Sequence, residues 1–208
     1  MNIRLEKIGK RYTNDWVFRN LSQEFNAGNI YGLIGHNGSG KSTLLQIISG
    51  FITPNEGSII YGDPALDAEK LYQKVALSAP YLDLLDELTV FETIKNQSKF
   101  KAFQENIDAK WLLRELKLEH HSEKLLNQLS SGMKQRLKLG MALYSASELL
   151  LLDEPCSNLD QVWIAWYEST LKHVAKNRLI IIASNSDKHE LSLCNQPLLD
   201  VASYRETP

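Results

Sequence analysis

The stretch Gly35-His36-Asn37-Gly38-Ser39-Gly40-Lys41-Ser42 decides the fold of this 208-residue chain. A short apolar segment, 29–34, precedes it, and residues 44–48 follow it with the apolar spacing of a helix. This spacing between a strand and a helix is typical of a loop that binds phosphate, because the glycines let backbone N–H groups turn inward. The start of the helix adds a positive dipole. The stretch therefore predicts an α/β fold with a nucleotide-phosphate site where a strand ends.

The side chains of this loop have distinct expected roles. Lys41 is predicted to reach the β- and γ-phosphates, and the Ser42 hydroxyl to ligate Mg²⁺. The side chain of His36 is not needed for this chemistry, and we expect it to face solvent. The predicted cofactor-binding residues of the loop are Gly35, His36, Asn37, Gly38, Ser39, Gly40, Lys41, Ser42 and Thr43.

Two carboxylates follow a second apolar stretch, Leu149-Leu150-Leu151-Leu152-Asp153-Glu154. Acids at the carboxyl end of a parallel strand face the nucleotide in sheets of this kind. Asp153 is predicted to hold Mg²⁺ through a water molecule. Glu154 is predicted to orient or deprotonate the water that attacks the γ-phosphate.

Composition excludes several other classes of protein. The net charge is −2, which gives no electrostatic footprint for nucleic acid. Two cysteines, Cys156 and Cys194, have neither metal-ligand nor disulfide-framework spacing. The first residues lack the apolar core of a signal peptide, and no stretch approaches the roughly 20 apolar residues of a membrane span. We therefore expect any membrane role to come through a partner.

The rest of the chain reads as one unit with an insertion. Residues 88–126 are polar, charged and helical in period, whereas the apolar runs around 147–152 and 178–183 flank a helical segment at 161–175. Continuous apolar strands separated by a helix favour a parallel sheet covered by helices. We predict a single domain, 1–208, with a catalytic core at about 1–79 and 147–208 and a helical subdomain at about 80–146. Further strands are predicted at 2–8, 16–25, 58–61 and 75–77. The apolar residues of the insertion that are predicted to contact the core are Phe91, Ile94, Phe100, Trp111, Leu112, Leu116 and Leu118.

A second candidate anion site lies about ninety residues beyond the first. The stretch Leu129-Ser130-Ser131-Gly132-Met133-Lys134-Gln135-Arg136 precedes a helix whose apolar face carries Met133, Leu137, Met141 and Tyr144. Serine hydroxyls and free N–H groups at a helix start suit an anion. Taken alone, such a segment is more often a structural helix cap.

The order of these motifs resembles the nucleotide-binding subunit of ABC transporters. The phosphate loop comes first, then the helical insertion, the serine-glycine segment, the strand ending at Glu154, and Ser157-Asn158-Leu159-Asp160. The resemblance covers about residues 3–201. It implies an α/β fold with a P-loop NTPase parallel-sheet core, an N-terminal antiparallel β-subdomain and a helical insertion. It also implies ATP and Mg²⁺ as cofactors.

In the ABC family, two subunits pack head to tail, and each serine-glycine signature closes over the ATP of the other. The resemblance therefore implies that Ser130 and Gly132 act in trans, on the γ-phosphate bound by a second copy or a homologous ATPase subunit. It implies that Asp160 bridges the dimer interface. Tyr12 is the aromatic residue expected to stack on adenine, with Trp16 as a second candidate. The alternative for Tyr12 is a structural role, as an aromatic at a strand edge that packs in a small core.

Two positions depart from the ABC pattern. The family places a glutamine after the strand that corresponds to 75–77, where this chain has Ser78-Ala79-Pro80-Tyr81-Leu82-Asp83. Ser78, Tyr81 or Asp83 are candidates to replace it through water. The family also has a histidine where Asn185 stands; an asparagine amide donates a hydrogen bond but does not titrate. We expect Asn185 to contact the γ-phosphate and to support slower hydrolysis than histidine, while His189 is expected at the surface.

Two functions of different classes follow. The first is an ATPase motor subunit that drives a membrane permease from the cytoplasmic face, with 80–88 and the adjoining helices as the docking surface. The second is an ATP-gated clamp or regulatory module with slow or no turnover, which the missing glutamine and Asn185 favour. Lys41, Asp153 and Glu154 together argue for the ATPase.

Overall fold

The computed structural model describes residues 1–62, 64–66 and 70–205. It contains two sheets, one of three strands and one of five, with helices packed on the larger sheet. Residues 63, 67–69 and 206–208 of the predicted domain lie outside the described residues. The predicted fold class, an α/β parallel core with an antiparallel β-subdomain and a helical insertion, is confirmed.

The smaller sheet is antiparallel and lies at the N-terminal side of the sequence. Its strands are β1 Ile3–Tyr12, β2 Asp15–Phe25 and β4 Glu56–Tyr61, in the order β2-β1-β4. The register of β1 against both neighbours shifts after Glu6, where Lys7 has a positive φ of 49°. Such an irregularity bends a strand and increases its twist. The inward-facing residues Ile3, Leu5 and Ile8 remain buried on both sides of the shift.

The larger sheet is parallel throughout and positions the site. Its strands are β3 Ile30–Ile34, β5 Val75–Ser78, β6 Leu149–Asp153, β7 Leu179–Ala183 and β8 Leu199–Asp200, in the order β5-β6-β7-β3-β8. Every residue of β6 and β7 is buried, as expected for strands covered on both faces. Because the strands are parallel, their carboxyl ends meet at one edge, next to the segments that follow β3, β6 and β7.

The described residues also form seven α-helices and three 3₁₀ helices, the latter at Glu119–His121, Leu126–Gln128 and Val201–Tyr204. The α-helices are α1 Lys41–Ile48, α2 Leu71–Lys74, α3 Val90–Phe100, α4 Ala109–Glu115, α5 Ser131–Leu143, α6 Gln161–Val174 and α7 Lys188–Leu191. Side-chain caps start most of the longer ones; Thr89 and Glu92 form a capping box at α3, and Asp160 caps α6 through Trp163 N–H. None of the helices in the described ranges has the length and apolar character needed to cross a bilayer.

Two apolar clusters pack on opposite faces of the parallel sheet. One joins α1 to the small sheet, and the other joins α3, α4, α5 and α6. Of the predicted core contacts in the insertion, Ile94, Leu112, Leu116 and Leu118 are fully or almost fully buried, and Phe91 and Trp111 are partly buried. The prediction for Phe100 is wrong, because its side chain is 71% exposed at the end of α3.

Candidate functional site

The loop between β3 and α1 has the backbone shape that its sequence predicts. Gly35 and Gly40 have φ values of 143° and 101°, in the region that favours glycine. A Cβ on Gly35 would lie 2.5 Å from Ser39 Oγ, and one on Gly40 would lie 2.6 Å from a methyl carbon of Val17. Both positions therefore require glycine, and the loop packs tightly against β2 at its far end.

Lys41 folds back over this loop. Its ammonium group donates hydrogen bonds to Gly35 O at 2.8 Å and His36 O at 3.2 Å. A third bond, of 2.7 Å, runs to Asn185 Oδ1. The residue is 5% exposed, so its charge is held at the mouth of the loop by neutral oxygens. Anionic phosphate oxygens would be stronger partners for the same three donors.

The other loop residues surround this cation. His36 is exposed and its Nδ1 contacts Asn37 O at 2.8 Å, in agreement with the expectation that it faces solvent. Ser39 N–H donates to His36 O at 3.0 Å, and the Ser39 hydroxyl is buried without a hydrogen-bond partner in the described chain. Buried hydroxyls are normally satisfied, so an unpartnered one at the base of the loop fits a bound anion.

Asp153 and Ser42 are the candidate Mg²⁺ ligands of the nucleotide site. Asp153 is 3% exposed, and burial raises the pKa of its carboxyl while a hydrogen bond from Ser42 lowers it. Its Oδ2 atom has no hydrogen-bond partner among the described residues. No group of three or more His, Cys, Asp or Glu side chains in the described ranges could hold a metal by itself. An unpaired carboxylate oxygen beside a serine hydroxyl fits Mg²⁺, which takes few protein ligands and completes its shell with water and phosphate oxygens.

Glu154 and Asn185 meet across the ends of β6 and β7. Asn185 Nδ2 donates to Glu154 Oε1 at 2.5 Å, while Asn185 Oδ1 accepts from Lys41. Glu154 has a positive φ of 45°, and its N–H donates to Ala183 O at 2.9 Å. A positive φ is uncommon for a residue other than glycine, and here it belongs to the turn by which the chain leaves β6. The structure thus brings together the three predicted catalytic residues, Lys41, Glu154 and Asn185.

The serine-glycine segment starts α5 and lies against the loop that follows Glu154. The Ser130 hydroxyl accepts from Met133 N–H at 3.3 Å, which is a helix cap, and Ser130 is exposed. A Cβ on Gly132 would lie 2.9 Å from Asn158 O, and Gln135 Nε2 donates to Pro155 O at 3.2 Å. Within the described ranges, no hydrogen bond joins residues 129–136 to the phosphate loop. The two predicted phosphate sites therefore share no hydrogen bond among the described residues.

The two candidate adenine-stacking residues differ in their surroundings. Tyr12 stands at the end of β1, is 52% exposed, and has Lys10 Nζ at 5.3 Å from its ring centroid. The Trp16 ring is contacted by the guanidinium groups of Arg11 at 5.4 Å and Arg19 at 4.6 Å. Trp16 is only partly exposed and two guanidinium groups contact its ring, whereas Tyr12 is exposed and has one cation near its ring, so the geometry favours Tyr12 for stacking.

Sequence reasoning missed Glu190, which lies behind Glu154 and Asn185. Its carboxylate accepts from Cys156 N–H at 3.0 Å and from the hydroxyl of Ser184, and it is 4% exposed. Burial raises the pKa of this carboxyl. Cys156 follows Glu154 by two residues and Ser184 precedes Asn185, so one buried carboxylate joins both loops. No sequence signal marks it, because it lies in a short polar helix.

Comparison with known proteins places these features in a family. The family described as ABC transporter matches residues 18–157. An uncharacterized ABC transporter ATP-binding protein, YybJ of Bacillus subtilis, is 33% identical over 195 residues, which cover 93% of this chain and 89% of that protein. The cytochrome c biogenesis ATP-binding export protein CcmA of Reclinomonas americana is 31% identical over 89% of this chain and 86% of its own length.

Other relatives are longer, and solved structures share the fold. The chain spans 43% of the spermidine/putrescine import ATP-binding protein PotA of Fusobacterium nucleatum, to which it is 32% identical over 170 residues. A dimeric ATP-binding cassette in a post-hydrolysis state with ADP and Pi superposes with a TM-score of 0.83 at 22% identity, over 96% of this chain and 95% of that one. The class of protein is a nucleotide-binding ATPase. The chain belongs to the ABC transporter family, among its ATP-binding proteins.

Proposed function

We propose that this chain is the ATP-hydrolysing subunit of a transporter, that it pairs head to tail with a second copy or a homologous subunit, and that the pair drives an integral membrane permease. The observation that carries the proposal is the hydrogen-bonded chain from Lys41 through Asn185 to Glu154. It joins a phosphate-binding cation to a carboxylate suited to act on water, at the sheet edge where nucleotides bind in such folds.

The residues at this edge divide the chemistry between them. On ATP binding, phosphate oxygens replace Gly35 O and His36 O as partners of Lys41. Bound Mg²⁺ would be held by Ser42 and Asp153 and would neutralise charge on the phosphates. Glu154 orients or deprotonates the attacking water. The NH₂ group of Asn185 has a second hydrogen besides the one donated to Glu154, and that hydrogen donates to the γ-phosphate.

The lack of a hydrogen bond between the two predicted phosphate sites supports a composite site between two chains. Ser130 and Gly132 stand at the exposed start of a 13-residue helix and make no hydrogen bond to the phosphate loop within the described residues. In the proposed dimer they contact the γ-phosphate held by the partner. Asp160, exposed at the start of α6, would lie at the interface between the two chains.

A groove next to β5 supports the proposed permease contact. Its volume is about 500 Å³, and Phe51, Tyr72, Leu82, Leu84, Lys101 and Lys138 are among the residues that line it. Phe51 and Tyr72 are 69% and 57% exposed, an apolar rim that a partner would cover. The groove begins where the segment 80–88 leaves the sheet edge. In this proposal the chain acts at the cytoplasmic face of a membrane, as a peripheral subunit.

Light scattering with and without Mg-ATP tests the proposed dimer. We expect Glu154→Gln to form a lasting dimer only with Mg-ATP, and the unchanged chain to dimerise transiently. Glu24→Gln, the same chemical change at an exposed residue of β2, is the matched control and should behave as the unchanged chain. Absence of dimer in every variant, with ATP bound, would contradict the homodimer and require a different second subunit.

A slow ATP-gated clamp is the second candidate function. Asn185 at the position of the family histidine, and the absence of a glutamine from residues 78–83, are the observations that favour it. Steady-state turnover separates the two functions. A clamp predicts that the unchanged chain remains dimeric as long as Glu154→Gln does, whereas the motor predicts faster dissociation through hydrolysis.

A further inference from the structure

Two tryptophans on α6 pack against the helical subdomain. Trp163 and Trp166 lie three residues apart, and their ring centroids are 5.4 Å apart with the edge of one ring toward the face of the other. Residues at this spacing lie on the same side of a helix. Both side chains are partly buried. The two rings therefore stand on the side of α6 that meets α4 and α5, and their contacts show how the three helices are joined.

Trp163 contacts a cation from the second turn of α5. The Arg136 guanidinium lies 4.2 Å from the Trp163 ring centroid, and Arg136 Nη1 donates to Leu116 O at 3.2 Å, where α4 ends. Lys117 Nζ lies 5.8 Å from the same ring. A guanidinium within about 6 Å of a tryptophan ring is attracted by the negative face of that ring, more strongly where water is excluded. The ring of Trp163 thereby joins α6 to α5 and to the end of α4.

Trp166 is held by a carboxylate that it shares with the other end of α5. Glu115 Oε1, on α4, accepts from Trp166 Nε1 at 2.7 Å and from the Tyr144 hydroxyl at 2.9 Å. Tyr144 is the last residue of α5 in its cap position, and its ring packs edge-to-face on Trp111 at 4.9 Å. The end of α5 is thus fixed by hydrogen bonds, whereas the Trp163 ring holds the part of α5 that follows the serine-glycine segment.

The backbone of Trp163 is joined to the loop between β6 and α6. Asp160 ends this loop and caps α6, where Asp160 Oδ1 accepts from Trp163 N–H at 3.0 Å. The same loop accepts a hydrogen bond from α5, because Gln135 Nε2 donates to Pro155 O at 3.2 Å. Trp163 therefore contacts Asp160 through its backbone and Arg136 through its ring, and so links the two segments that the proposed dimer offers to a partner.

We propose that Trp163 is a positioning residue of the composite ATP site, whose ring, in contact with Arg136, sets the start of α5 relative to Asp160. The role rests on the proposed function, because Ser130 and Asp160 face nucleotide only in a head-to-tail pair. Within the described ranges, no hydrogen bond or ring contact joins Trp163 to residues 35–43 of its own chain. Its effect should therefore be confined to the ATP site that the partner's phosphate loop completes.

The test places the substitution in one chain of a mixed dimer. One chain carries Lys41→Ala and offers the intact serine-glycine segment, and the other carries Gly132→Asp and offers the intact phosphate loop. Trp163→Leu keeps an apolar side chain but removes the aromatic face, which Trp163→Phe retains. We expect Trp163→Leu in the Lys41→Ala chain to lower the ATPase rate of the mixture roughly three- to thirtyfold, as the loss of one cation–π contact predicts. The same change in the Gly132→Asp chain should have no effect, and Trp163→Phe should retain most of the rate in either chain.

Dimerisation provides a readout that does not depend on turnover. In a Glu154→Gln chain with Mg-ATP, Trp163→Leu should raise the dimer dissociation constant roughly threefold or more, measured by sedimentation. The ATP affinity of the monomer should not change, since its phosphate loop is intact. Trp111→Leu is the matched control, because it removes another partly buried ring of the helical subdomain, and it should leave the dimer constant unchanged.

The outcomes separate a positioning role from a structural one. An equal loss from either chain of the mixed dimer, or no loss from the Lys41→Ala chain, would overturn the proposal. A Trp163→Phe chain as impaired as Trp163→Leu would also overturn it, because the contact of the ring with the guanidinium would not be the cause. A mixture without any change at Trp163 that stays at background, although the Gly132→Asp chain binds ATP, would instead overturn the composite site on which the role rests.

Discussion

Asn185 hydrogen-bonds with both Lys41, at 2.7 Å, and Glu154, at 2.5 Å, although Lys41 is 144 residues away in sequence. One amide thereby fixes the relative position of the phosphate-binding cation and the candidate hydrolytic carboxylate. Its carbonyl oxygen accepts while its NH₂ group donates, so the one uncharged side chain serves both partners at the same time.

Replacing Asn185 should change turnover in opposite directions, depending on the new side chain. We expect Asn185→His to raise the steady-state ATPase rate, because an imidazole can donate to the γ-phosphate and also carry charge. Asn185→Asp, of the same size, should lower it by about tenfold or more, since a second carboxylate beside Glu154 opposes ionisation of both. A phosphate-release assay measures both rates. An equal or lower rate for Asn185→His would count against the histidine-replacement account.

Tyr12 and Trp16 should contribute unequally to nucleotide affinity. Tyr12→Ala should raise the ATP dissociation constant by roughly five- to a hundredfold, because stacking of a base on an aromatic ring is worth about 1–3 kcal/mol. Trp16→Ala is the matched control and should have a much smaller effect, since Trp16 is only partly exposed and two guanidinium groups contact its ring. Calorimetric titration with ATP measures both constants. Equal effects would show that stacking is not confined to Tyr12.

The phosphate loop and the two carboxylates could be predicted from sequence because their spacing dictates local backbone shape. Gly35 and Gly40 adopt conformations that disfavour other residues, and Asp153 ends a strand with no exposed residue. Contacts between distant segments, such as Glu190 with Cys156, depend on how strands pair and left no local signal. Periodicity also misassigned Phe100, because α3 ends there and its last side chain turns to solvent.

Glu190 should act through the loops that carry Glu154 and Asn185. Glu190→Ala should lower kcat with little change in ATP affinity. It should also reduce the free energy of unfolding by about 1–3 kcal/mol, because it leaves the buried Cys156 N–H without an acceptor. Glu190→Gln keeps an acceptor for that N–H and should restore most of kcat. Kinetics and urea denaturation measure the two effects. A loss of stability with kcat unchanged would indicate a purely structural role.

Lys101 should make stability depend on pH in the alkaline range. Burial, with a smaller contribution from Arg178, lowers the pKa of Lys101 to about 8, from an ordinary value of 10.5. Between these two pH values the unfolded chain binds the proton of Lys101 more strongly than the folded chain does. The contribution of Lys101 to the free energy of unfolding therefore rises with pH in this range, and it is least favourable below pH 8. Lys101→Met should therefore gain stability at pH 7, and this gain should shrink toward pH 10. Urea denaturation of both chains at matched pH measures it; a gain that does not vary with pH would contradict the shift.

The central claim, that each ATP site is built from two chains, is tested most directly by mixing two inactive variants. Lys41→Ala should disable the chain's own phosphate site, and Gly132→Asp should disable the signature offered to the partner. Each variant alone should show background ATPase activity. We predict that an equimolar mixture recovers up to about a quarter of the activity of the unchanged chain. With random pairing about half of the dimers are mixed, and in each mixed dimer one of the two ATP sites combines an intact phosphate loop with an intact signature. A mixture that stays at background, while the unchanged chain hydrolyses ATP as a dimer, would contradict it.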